Sequence, residues 1–324
     1  MEKLKVFDFD YGCGGFSKGL EETGLFEVTY NGSINDKNKF CYNNSHQNDF
    51  DSLDIIPNDV DLVVYTPHLG NKLYGIGRQN FQFSELNNFT ALTTIKDFQN
   101  IIFITSREAI PLLQSSNEVL YTFDGTPTID IISCRLLKLN YNVFNFVLDG
   151  AGFGLPQHRY YNIYWASKDI DKSIEINEGF GLYKRKYRTV GNVLKDITDE
   201  SDINWHNPFY KKKDVCSKIL PGQRASSVKE ISQSSGYIRL DENNLAQPLL
   251  YDFYNFSSKG PSINPWYDRA LTIREGARLF GLSDDFIWDN TLSKKEVALM
   301  IYESFPPVIS KLMGKKIAKF IKKE

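Results

Sequence analysis

Over about the first 165 residues, short apolar runs alternate with segments of helical length, and this alternation constrains the fold more than any other feature. Lys5–Phe9 reads as a strand, followed by a glycine turn and a helix from about Ser17 to Thr23. Phe26–Tyr30 is a second strand and Asp36–Asn43 a second helix. Val60–Tyr65 and Asn100–Thr105 are short and almost wholly apolar. Asp130–Leu139 suits a helix, and Asn142–Leu148 and Tyr161–Ala166 suit strands. A strand that is apolar on both faces must be covered on both faces, so the pattern predicts an α/β fold with a doubly wound, mostly parallel sheet. In such a sheet ligands sit at the carboxyl ends of the strands.

From about Asp171 the texture changes. Charge runs appear at Lys184–Arg188 and Lys211–Lys213, polar stretches follow, and periodicity fades until Arg269. The expected organisation is a large domain over 1–170, a small irregular domain over 171–265, and a return to the large domain over 266–324. Within that return, Arg269–Phe280 reads as helical. The last segment is an amphipathic helix from about Pro307 to Lys322, with apolar residues at Val308, Ile309, Leu312, Met313, Ile317, Ala318 and Ile321.

Composition narrows the function. Lys and Arg total 38 against 40 Asp and Glu, a net charge of −2, so nucleic-acid binding would need a local patch. The four cysteines, Cys13, Cys41, Cys134 and Cys216, show no paired spacing, and no two of the four histidines stand at i,i+4. A disulfide framework and a metal site are therefore not expected. No stretch approaches ~18 uninterrupted apolar residues, and the amino terminus runs straight into a strand. A soluble protein is the expectation.

Five segments bear on chemistry. Asp8–Ser17 contains Gly12, Gly14 and Gly15 between a strand and a helix, where glycine lets backbone approach a ligand. Thr66-Pro67-His68 follows the Val60–Tyr65 strand. Gly154-Leu155-Pro156-Gln157-His158-Arg159 precedes the Tyr161 strand. Arg269-Ala270-Leu271-Thr272-Ile273-Arg274-Glu275 continues to Arg278-Leu279, and Phe305-Pro306-Pro307 opens the last helix. In this order and at these spacings the chain resembles the DNA (cytosine-5) methyltransferase family over nearly its whole length. The resemblance implies a Rossmann-like, S-adenosylmethionine-dependent methyltransferase fold. It also implies S-adenosyl-L-methionine as cofactor, double-stranded DNA as partner and no metal. It further suggests a cytoplasmic, nucleoid-associated setting in a bacterium, archaeon or phage.

The departures from the family pattern are informative. Where the family carries a Pro-Cys-Gln turn, whose thiolate attacks cytosine C6, this chain has Pro67-His68-Leu69. Where the family's Glu-Asn-Val supplies an acid, it has Thr105-Ser106-Arg107, and hydroxyls titrate far from neutrality. Glu108 follows three residues after Thr105. Aligned on the glycines, Asp10 stands where an aromatic residue stacks on the donor's adenine; counting back from Tyr42 and His46 puts Ser33, or Ile34 if the register slips, where a carboxylate grips its ribose. Asp49 matches the adenine-amine contact, and Tyr161 replaces a second arginine after Arg159.

The resemblance then implies a degenerate donor pocket at Gly12, Gly14, Gly15, Asp10, Ser33 and Asp49. The nucleophile position is His68 and the acid position Thr105. DNA contacts are expected from Arg78, Gln157, Arg159, Lys211, Lys212, Lys213 and Arg224. The expected role is a catalytically inactive DNA-binding protein, or a partner of an active methyltransferase or nuclease in a restriction–modification or related system. Two alternatives stand beside it: altered chemistry in the same cleft with His68 as base, and an active cytosine-5 methyltransferase whose motifs are read out of register. Tyr65, Tyr74, Tyr160 and Tyr161 are candidates either to pack an extruded base or to fill the vacated pocket.

Overall fold

The computed structural model describes residues 2–9, 13–32, 59–66, 97–106, 131–169, 186–231, 236–256 and 261–322. In chain order the elements are β1 (Leu4–Phe9), α1 (Gly15–Glu21), β2 (Phe26–Gly32), β3 (Leu62–Tyr65), β4 (Asn100–Ser106), α2 (Ile131–Lys138), β5 (Asn142–Asp149) and β6 (Tyr160–Ser167). There follow α3 (Val190–Leu194), α4 (Lys213–Cys216), β7 (Ile238–Arg239), β8 (Ser262–Ile263), α5 (Ile273–Leu279), α6 (Lys294–Glu303) and α7 (Pro307–Lys322).

Six strands form one sheet in the order β2-β1-β3-β4-β6-β5. The pairs β1·β2, β1·β3 and β3·β4 are parallel and β4·β6 is antiparallel. The mixed α/β fold with a mostly parallel central sheet is therefore as expected. Its interior strands have no solvated face, and Val63, Val64, Ile101 and Ile102 are all fully buried. Each such side chain is worth about 1.5–3 kcal/mol on leaving water. The aromatics form a ladder across the strands. Tyr65 stacks on Phe9 with ring centres 5.0 Å apart and meets the edge of Phe103 at 5.1 Å.

The chain divides into two compact units. The first comprises Met1–Leu148, Tyr160–Tyr183 and Glu303–Glu324, and the second Asp149–Arg159 and Lys184–Tyr302. In the first, α7 packs its apolar stripe (Ile309, Met313, Ile317) inward, and Phe320 meets Trp165 edge-on at 5.1 Å. Helix α1 approaches α7 so closely that a Cβ on Gly19 would lie 1.9 Å from Ser310 Oγ and 2.2 Å from the Pro307 carbonyl oxygen. The second unit has its own core, built on Cys216, Ile219, Tyr237, Phe256 and Ile263 beside the β7·β8 pair.

Two helix starts differ from the sequence expectation. Helix α1 begins at Gly15, earlier than Ser17, because Gly14 takes the left-handed conformation at φ 80° and turns the chain directly into the helix. Helix α5 begins at Ile273 instead of Arg269. Thr272 and Glu275 form a reciprocal capping box there, while Asn264 N donates to Arg269 O and Leu271 N to Ser262 O, holding the preceding residues extended. The final helix spans Pro307–Lys322 as expected. The expected helix at Asp36–Asn43 lies outside the described residues.

Candidate functional site

In the first unit three strand ends lie side by side. Phe9 pairs with Tyr65 and with Gly32, and Tyr65 pairs with Phe103. Thr66 N donates to Phe9 O at 3.3 Å, which carries the register past the end of β3. Asp10, Ser33 and Pro67-His68 follow these three strands directly in sequence and lie outside the described residues. At the far side Thr105 pairs with Asn162 and Ser106 with Tyr161.

Gly14 and Gly15 are described at the first turn. Asp8 is fully buried and accepts a hydrogen bond from the Ser17 hydroxyl, tying the strand to the helix that follows. The Cys13 amide donates to Ser304 Oγ at 3.0 Å, and the Cys13 thiol lies 2.6 Å from the same hydroxyl. Phe305 then packs between Phe16 at 5.2 Å and Tyr161 at 4.8 Å. Tyr161 is thus a core residue, as is Tyr65, while Tyr160 is partly buried. His68, Asp10, Gly12, Ser33, Asp49, Arg78, Tyr74 and Glu108 lie outside the described residues.

In the second unit the Gly-x-Pro-Gln-x-Arg segment is built into the protein interior. Gln157 is fully buried: its amide donates to Leu279 O at 2.9 Å and its carbonyl accepts from Leu249 N at 3.0 Å. Arg159 donates to Tyr302 O at 2.7 Å, with its guanidinium over the Phe280 ring at 4.8 Å and the Tyr302 ring at 4.4 Å. His158 Nδ1 lies 2.8 Å from Asp149 Oδ2, and the other carboxylate oxygen of Asp149 accepts from Ala151 N.

The arginine motif forms a buried ionic lattice. Arg269, with no exposure, donates to both carboxylate oxygens of Glu275 at 2.8 and 2.9 Å and twice to Asp199 Oδ1 at 2.6 and 2.9 Å. Burial alone would lower its pKa, but the hydrogen bonds and charges of Glu275 and then Asp199 outweigh that and raise it. Arg274 donates to the carbonyls of Asn204, Ser283 and Phe286. Arg278 bonds Asp284 and Asp196.

Of the expected basic contacts, Lys211, Lys212, Lys213 and Arg224 are exposed, whereas Arg159 is partly buried. Lys212 donates to the Tyr237 hydroxyl and lies over that ring at 4.9 Å, Lys213 lies 5.6 Å over Tyr210, and Arg224 donates to Gln247. Lys211 lines a cleft with Phe209 and Trp205 that the sequence reading did not single out. Its signal was the aromatic pair Phe209-Tyr210 set against the basic run.

The family model for C-5 cytosine-specific DNA methylases matches residues 117–319, which is more than half of the chain. The chain belongs to the C-5 cytosine-specific DNA methylase family. The matched span holds the Gly154–Arg159 segment, the arginine motif and most of α7. A protein of Methanocaldococcus jannaschii assigned as a type II methyltransferase, M.MJ0563P, is 26% identical over 99% of this chain and all of that one. A solved structure assigned as a DNA modification methyltransferase encoded within an Escherichia coli prophage superimposes with a TM-score of 0.70 at 16% identity, covering 99% of this chain and 100% of that one. The S. pombe Dnmt2 methyltransferase gives 0.64 at 15% identity, covering 97% and 98%. These structures share the fold.

The methylase family implies use of S-adenosylmethionine and suggests DNA as substrate. The residues of this chain do not fit that donor well. The Cys13 amide is taken by Ser304, Asp10 has no ring to stack on adenine, and Ser33 has no carboxylate to accept from both ribose hydroxyls. Among the described residues no cluster of His, Cys, Asp and Glu could hold a metal, and no helix is long and apolar enough to cross a membrane.

Proposed function

We propose that this methylase-family protein is catalytically silent and holds DNA, alone or beside an active methyltransferase or nuclease. One observation supports the reading: β1, β2 and β3 are followed in sequence by Asp10, Ser33 and Pro67-His68, and β4 ends in Thr105-Ser106, where the family pattern has its donor contacts, nucleophile and acid. An imidazole at the nucleophile position lacks the soft, readily ionised sulfur of a thiolate. The hydroxyls at the acid position cannot give up a proton near neutral pH as a carboxylic acid can. With nucleophile, acid and donor contacts all replaced, S-adenosylmethionine binding is weak or lost. DNA is held through phosphate contacts from exposed Lys211, Lys213 and Arg224, which position a duplex without reading it.

The test is incubation of the purified chain with duplex DNA and methyl-labelled S-adenosylmethionine. No label is expected on DNA, and labelled cytosine overturns the reading. Gel-shift titration over a salt series measures the DNA contacts. A shift that weakens with salt is expected, and no shift even at low salt removes the DNA-holding role.

A further inference from the structure

The second unit carries a cleft that neither Gln157, Arg159 nor the first glycine turn lines. It encloses about 200 Å³ between Trp205, Tyr254 and Phe256, with Phe209, Lys211 and Lys294 among its other walls. That is below the roughly 300–1,000 Å³ that encloses a drug-sized ligand, so it admits a single ring system. Trp205 and Phe256 are buried, whereas Phe209 is 68% exposed at the cleft. Both lysines are exposed, and no carboxylate is among the described lining residues. Asn207 adds an exposed amide that both donates and accepts.

One wall is held under strain. Trp205 adopts φ 63°, a left-handed conformation rarely tolerated by a bulky side chain. Its carbonyl accepts from Arg274 N at 3.2 Å and its indole N–H donates to Trp288 O at 3.2 Å, so the surrounding structure fixes the ring in place. A single exposed phenylalanine is ordinary. An exposed phenylalanine at a cleft with an aromatic floor, two lysines and no carboxylate among its described lining is complementary to a flat, anionic ligand.

We propose that this cleft binds a nucleoside phosphate, the base packing against Phe209 and the aromatic floor and the phosphate meeting the ammonium groups of Lys211 and Lys294. The site does not rest on the loss of methyl transfer or on duplex binding. The same chemistry comes from two sources, a free nucleotide or an unpaired nucleotide of a single strand, and stacking of this kind tolerates any base.

The test uses the full-length chain, with calorimetry and tryptophan fluorescence against dAMP, TMP, inorganic phosphate and a short oligothymidylate. Saturable binding of the nucleotides or the oligomer is expected. Phe209→Ala and the Lys211→Ala/Lys294→Ala pair each weaken it about tenfold, and both leave the circular-dichroism spectrum unchanged because the replaced groups are exposed. Tighter binding of the oligomer assigns the source to single strands, and equal binding assigns it to free nucleotides. The proposal is overturned if neither binds, if inorganic phosphate binds as tightly as TMP, or if both variants bind as the parent does. Duplex gel shifts run in parallel separate this site from the proposed function: a lost duplex shift with retained nucleotide binding removes only the latter.

Discussion

The Arg269–Leu279 segment and the first glycine turn both belong to the family pattern, and they have been treated differently. In the arginine segment the charged side chains have protein partners, and Arg269, Arg274 and Glu275 are fully buried. Changing one leaves another uncompensated. At the first turn, folding needs the backbone: Gly14 for its left-handed conformation and Gly19 for the contact of α1 with α7. In the proposed reading Asp10 and Ser33, which only a ligand would need, are the positions that depart from the family pattern. Under that proposal, what the fold requires is kept and what chemistry alone requires is replaced.

That contrast can be broken or sharpened experimentally. The largest effect is expected from Arg269→Ala, which strands Glu275 without its counter-ion in the interior. It should cost about 3–5 kcal/mol in urea unfolding, and a loss under ~1 kcal/mol would mean the lattice is dispensable. Gly19→Ala forces a methyl group against Ser310 and the Pro307 carbonyl, so a loss of about 1–3 kcal/mol is expected, read as a lowered melting temperature. A neutral result would show that α1 and α7 can part.

A smaller effect is expected from acid. Burial alone would raise the pKa of Asp199, but hydrogen bonds from Arg269 and Tyr210, with the Arg269 charge, lower it below its ordinary 3.8. Its contribution to stability is therefore complete above that ordinary value and is lost as pH falls through the lowered one. The stability difference between the parent and Asp199→Asn, followed by urea midpoint, should be constant near neutrality and shrink below about pH 4. Growth of the difference on acidification would reverse the sign of the argument. The smallest effect is expected from His68→Cys. Restoring sulfur alone should give no methyl transfer to duplex DNA, because the acid and donor positions remain altered. Measurable label would show that a single residue stands between this protein and catalysis.

The sheet was legible in the sequence because strands buried on both faces must be apolar through their buried stretch, as Leu62–Tyr65 and Ile101–Ile104 are. Helix starts were less so: the left-handed Gly14 is settled by backbone geometry, while the Thr272-x-x-Glu275 capping box was present in the sequence but obscured by the apolar and charged run from Arg269. Gln157 shows the deeper limit. A polar residue in a motif reads the same whether it faces DNA or satisfies buried backbone groups, and here both ends of its amide are spent on Leu279 and Leu249. The cleft at Trp205 was hidden because its walls come from stretches far apart in the chain, from Trp205 to Lys294.

The hydrogen bond from Cys13 to Ser304 joins residues 291 positions apart. During synthesis the strand and turn around Cys13 emerge well before the hydroxyl that completes them, so this contact closes only after Ser304 has left the ribosome. A chain that stops short of Ser304 lacks the partner of the Cys13 amide and leaves that turn unclosed.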